Sequence, residues 1–278
     1  MHFARHTPTF HYARFTAIAV ALFSSGASLA ATIETLAEAD WEGQAISDPQ
    51  GPSTSGSLES RAEPGGAVAV AVQDIDGAAA VRVEGMSANG QRGNTLLARS
   101  VWSESFTNTS GGAQRFVAQL SIPSISLFIS DDTVAVPADR TTAYYDISLE
   151  VNGGVMFSSG ATLSGNTTGH DFVLTGTSFG GTGQQSGQRF RFDFLAFDGA
   201  VTLGDFAPDA TLQVVYRIEA GIDMPGFELF ADASIGDPLT LQTTSIAIGA
   251  SPVPLPGAAW LFAAALVSLV RRRRACAS

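Results

Sequence analysis

Lysine does not occur in this chain, cysteine occurs once and histidine four times. Each scarcity removes a class of chemistry. Without lysine there is no Schiff-base nucleophile. The one cysteine, Cys276, stands next to the C-terminal basic cluster, so the body of the chain has neither disulfide nor thiol nucleophile. His2, His6 and His11 belong to the N-terminal segment, which leaves His170. One histidine excludes zinc sites built from several His or Cys ligands. A Ser-His-Asp triad would have to use His170 as its base. That residue lies in "SGNTTGHDF", which reads as a polar turn entering a strand, with no nucleophile motif nearby. Long apolar runs are also missing between the two ends of the chain.

The ends are different. Arg5, His6 and Arg14 precede an apolar run, Phe15 to Phe23, and "SSGASLA" then closes on small residues. Ser28 and Ala30 occupy the −3 and −1 positions for cleavage before Ala31, so residues 1–30 read as a secretory signal helix. The run is shorter than the roughly 20 residues of a spanning helix. At the other end, Val253-Pro254-Leu255-Pro256 is held extended, because each proline fixes its own φ and disfavours helix in the residue before it. An apolar stretch from Gly257 to Val270 and the cluster Arg271, Arg272, Arg273 and Arg274 follow. This reads as a single transmembrane helix with a stop signal, the arginines cytoplasmic and the preceding domain outside.

"VPLPGAAWLFAAALVSLVRRRR" resembles the VPLPA type of PEP-CTERM sorting signal, with Val253, Pro254, Leu255, Pro256 and Gly257 as the motif. Gly257 stands where the motif usually has alanine. The resemblance implies an exported bacterial protein, delivered by the secretion machinery. It also implies removal or transfer of the tail by an exosortase, a membrane cysteine protease-like enzyme of bacteria that make exopolysaccharide. The phrases "WSESFTNTSGGAQRFVAQLSIP" and "IGDPLTL" resemble, more loosely, domains that carry this tail, most of which have no assigned activity.

All 26 acidic residues fall between Ala31 and Ser251, against nine arginines, a net charge of −17 for that part. Such a charge argues against nucleic acid and anionic membrane surfaces as long-range electrostatic partners. It suits a self-repelling exported surface or one that recruits cations.

The interior is organised with a period of two. Residues 31–66 begin with "TIETLAEADWEGQAI", compatible with a helical turn or two, and continue as "SDPQGPSTSGSLESRAEPGG", a flexible linker by composition. From Ala67 the pattern alternates. "AVAVAVQ" and "AAAVRVEG" flank the turn "DIDG", which predicts a hairpin. Phe116, Ala118, Leu120 and Ile122 share one face of "RFVAQLSI", and Tyr145, Ile147, Leu149 and Val151 share one face of "YDISLEV". Phe190, Phe192 and Phe194 alternate with Arg189, Arg191 and Asp193, and Leu212, Val214, Tyr216, Ile218 and Ala220 repeat the scheme. Further apolar segments bring the expectation to roughly ten strands between Gly, Pro, Asn and Asp turns. The expected class is all-β, an antiparallel β-sandwich or jelly roll over residues 67–250, with the sorting signal at 251–278.

Asp74 and Asp76 in "QDIDG", with Asp131 and Asp132 in "SDDTVAVPAD", are candidate Ca²⁺ ligands, because Ca²⁺ takes six to eight oxygens from such turns. They lack the spacing of an EF-hand. "GGTGQQSG", Gly180 to Gly187, fails as a nucleotide loop and reads as a long hairpin loop. Trp102 is assigned to the core, and Trp41 is left open for carbohydrate contact. Asn108 and Asn166 begin sequons that read as turns in a bacterial chain. The functional expectation is an exported, non-enzymatic envelope or matrix protein, structural or adhesive, with exopolysaccharide as a candidate partner. The alternatives are a glycan- or Ca²⁺-binding module and a two-carboxylate glycan-processing enzyme.

Overall fold

The structure, a computed structural model, describes residues 26–28, 30–87, 93–131, 140–166, 169–225, 229–238 and 242–253. Every regular element in these residues is a β-strand, and all pairings between strands are antiparallel. The first sheet joins, in spatial order, β12 (Gly169–Gly176), β11 (Gly154–Asn166), β10 (Thr141–Val151), β16 (Thr211–Met224), β7 (Asn94–Asn108), β2 (Thr32–Trp41) and β3 (Gln44–Ser53). β1 (Gly26–Ser28) pairs with the end of β7. The second sheet joins β13 (Gly181–Ser186), β14 (Arg189–Phe194), β9 (Ile125–Asp131), β17 (Leu229–Ile235), β6 (Ala79–Ser87), β5 (Ala67–Asp74) and β4 (Ser57–Ala62). A third, three-stranded sheet is formed by β15 (Phe197–Phe206), β8 (Gln114–Ile122) and β18 (Ser245–Pro252).

The two large sheets lie face to face, as in a β-sandwich. β2 packs over β4 and β5, β7 over β5 and β6, β16 over β6 and β17, and β10 over β17 and β9. Alternation drives this, because a strand with every second side chain apolar buries one face only against another such face. The predicted inward residues of β8, β10 and β16 are all buried, and Phe194 of β14 with them. The hairpin expected from "DIDG" is present as β5 and β6, paired from Ala67↔Gly85 to Gln73↔Ala79.

Two expectations need correction. Residues 31–66 hold β2, β3 and β4 rather than a helical turn and a linker, and these strands supply edges to both large sheets. The alternation Ile33, Thr35, Ala37, Ala39, Trp41, all buried, overrides helix propensity there. The segment Gly180–Gly187 is not a long loop: Gly181–Ser186 is β13, paired with β14 from Gly181↔Phe194 to Ser186↔Arg189. Backbone pairing with β14 makes that strand, since all six of its residues are exposed.

Of the expected signal segment, residues 1–30, only Gly26–Ser28, which form β1, and Ala30 are described; the expected transmembrane helix, Gly257 to Val270, lies outside the described residues. Among the described residues no helix is long and apolar enough to cross a membrane.

Candidate functional site

The outward face of the second sheet gathers aromatic, acidic, basic and hydroxyl side chains. Inward residues of β6, β17 and β9, such as Val83, Ala233 and Leu127, fill the core. Strand alternation therefore sends Arg82 and Glu84, Phe230, Asp232 and Ser234, and Ser126 and Phe128 to the opposite face. Register aligns them in rows: Glu84 faces Asp232, Asp232 faces Phe128, and Phe128 faces Arg191 of β14. With Asp237, these side chains line a depression of about 460 Å³.

Arg82 is the hub of this surface. Its guanidinium pairs with Glu84, stands 3.6 Å from the Asp232 carboxylate through Nε, and 3.7 Å from Asp237 through Nη1. Arg82 Nε is buried and makes no hydrogen bond. Asp232 is the least exposed of these acids, its side chain 17% accessible. Burial pushes its carboxyl up to about 6, with Glu84 and Asp237 adding to the rise and Arg82 and Arg191 opposing it. Phe128 and Phe230 meet edge to face with ring centroids 5.3 Å apart. Aromatic faces beside carboxylate acceptors, guanidinium donors and serine hydroxyls suit a hydroxyl-rich ligand that presents C–H and O–H groups together.

Glu84 and Asp232 are cross-strand neighbours on one face.

The residues singled out in the sequence are dispersed. Asp74 and Asp76 lie at the β5–β6 turn, where Asp76 accepts a hydrogen bond from the Ala78 N–H. Asp131 ends β9 opposite Leu229, itself opposite Ser87, at the other end of β6 from that turn. The Ca²⁺ candidates are therefore split between opposite ends of the second sheet, and Asp132 lies outside the described residues. No group of three or more His, Cys, Asp or Glu positioned to hold a metal occurs among the described residues.

Both interior tryptophans are core residues: Trp102 donates its indole N–H to the Ile75 carbonyl, and Trp41, left open for sugar contact, is fully buried. His170 stacks on Phe190 with centroids 4.0 Å apart, at the rim of a cavity of about 150 Å³ between the sheets. Ala30 is exposed and Ala31 begins the core; of the expected sorting motif only Val253 is described, and Pro254 to Gly257 and Arg271 to Arg274 lie outside the described residues. Sequence reasoning missed the depression. Its signal was there in "SLFIS" and "FELFADAS", where Phe128 and Phe230 place large aromatics out of phase with the core-facing residues.

Compared with known proteins, the chain matches no family model and no curated protein.

Proposed function

We propose that this chain is an exported bacterial protein of the cell envelope or extracellular matrix, processed at Val253–Pro256 by an exosortase-like enzyme. Its β-sandwich then plays a structural or adhesive part without catalysis. One observation carries this reading. The last strand, β18, ends at Pro252, Val253 still donates its N–H to the Ala113 carbonyl, and the sorting motif starts at that residue. A cut within the motif leaves every described strand in place. At the other end, cleavage after Ala30 removes only β1 and leaves Ala31 at the head of β2.

A glycan-binding role for the same sandwich is favoured by the depression around Arg82, Phe128, Phe230 and Asp232, whose mixed aromatic and charged lining fits a sugar ring better than an apolar ligand. In that case adhesion is contact with the exopolysaccharide of the host.

The test is intact mass and C-terminal sequencing of the protein from its native host, in membrane and released fractions. The expected C-terminus lies between Val253 and Pro256 in the released form. An intact Ser278, found only in membranes, would replace processing by permanent anchoring.

A further inference from the structure

The two lateral sides of the sandwich are finished differently. On one side the outer strands are β3 and β4. β3 carries Pro49 and Pro52, which have no N–H to offer a new strand. Asp48 of β3 reaches across to accept the backbone N–H of Arg61 on β4, at 2.8 Å. That side is closed to strand addition. On the other side the outer strands are β12 and β13, and neither contains proline. β13 has no charged residue, and the single acid of β12, Asp171, is paired with Arg140. Val173 is 55% exposed and Leu174 is 44% exposed on β12. Natural sheets ordinarily blunt such an edge with charge, proline or a covering segment.

The backbone of β12 is set for addition. Thr177 donates its N–H to the Ser158 carbonyl, and hydrogen-bonded pairs alternate along an antiparallel ladder. By the register with β11, Asp171, Val173 and Thr175 turn their backbone groups toward β11. His170, Phe172 and Leu174 turn theirs to the side on which no described strand pairs.

We propose that β12 pairs antiparallel with β12 of a second copy of this chain across a two-fold axis through Val173, joining two first sheets into one. In that register Phe172 lies beside Leu174 of the other copy, Val173 beside Val173, and Asp171 beside Thr175. Moving the axis to Phe172 would set Asp171 against Val173, and its carboxylate would lose water without a new partner. In the Val173 register the two Asp171 residues are four strand positions apart, about 14 Å. That exceeds the screening length of about 8 Å at physiological salt, so the two Asp171 carboxylates do not oppose closure at the seam. Main-chain hydrogen bonds supply affinity and the apolar side chains fix register, as in strand addition generally. An isologous contact of this kind closes at two copies.

The full chain in non-ionic detergent, examined by density-matched sedimentation over a concentration series, is expected to show a monomer–dimer equilibrium. Val173→Lys is expected to weaken it at least tenfold, whereas Gln50→Lys on the closed side leaves it unchanged. In a Cys276→Ser background, Val173→Cys is expected to give a disulfide-linked dimer on mild oxidation, since only this register sets residue 173 against itself. Hydrogen exchange on the unaltered chain needs no variant: the amides of His170, Phe172 and Leu174 gain protection as concentration rises. A chain that stays monomeric throughout, a dimer indifferent to Val173→Lys, or an edge whose amides show no concentration dependence overturns the proposal.

Discussion

Asn108 shows how much one polar side chain carries in a protein without disulfides across its body. It is fully buried at the end of β7, and its amide nitrogen lies 2.9 Å from the Gly112 and Phe206 carbonyls and 3.0 Å from that of Ala207. Its Oδ1 accepts from the Ser110 N–H and hydroxyl, so the residue ties the β7–β8 turn to the chain after β15. Asn108→Ala strands several carbonyls in the interior, and thermal unfolding is expected to show a loss of about 2–4 kcal/mol. Asp232 acts in the opposite sense. Its carboxyl sits at about 6 in the folded chain, above its ordinary value of 3.8. The native state therefore holds a proton that the unfolded chain releases, and this contribution to stability falls as pH rises from about 4 through 6. Asp232→Asn is expected to stabilise the fold at pH 7.5 by on the order of 2 kcal/mol, read as a higher melting temperature. The gain should vanish near pH 4. A gain of equal size at both pH values would refute the assignment.

Elements contact one another here through matched large and small residues. Trp41 at the end of β2 crosses the sandwich to Gly85 of β6, where an added Cβ would lie 2.2 Å from the indole Cη2. Gly85→Ala is expected to cost about 1–3 kcal/mol by overpacking. The same change in a Trp41→Ala background should cost little, because the clash is gone; additive losses in a double-mutant cycle would refute the contact. This pairing also explains which strands were legible. β8, β10 and β16 alternate cleanly, since each has one face in the core and one outside. β3, with "SDPQGPS", and β13, with "GTGQQS", show no alternation because they are exposed edges. They are strands because β2 and β14 offer them hydrogen bonds, a cause invisible in their own residues.

At the scale of the whole molecule, the acidic residues, the missing lysines and the scarcity of cysteine and histidine limited the chemistry before any strand was placed. Local pattern was sufficient for the class, because burial of one face imposes a period of two on a strand wherever it lies. Neighbours in a sheet are another matter. β2 lies between β7 and β3, and β17 between β9 and β6, so each sheet is knit from strands distant along the chain. Only that knitting could bring Arg82, Phe128, Arg191, Phe230 and Asp232 to one depression, and separate Asp74 from Asp131. Only it could leave β12 open while Asp48 and two prolines close the far side. The sequence by itself determined the β class and limited the chemistry that its residue types can supply. Tertiary structure decided the site and the edges, because both depend on which strands pair, and pairing is a choice among distant partners that no single stretch encodes.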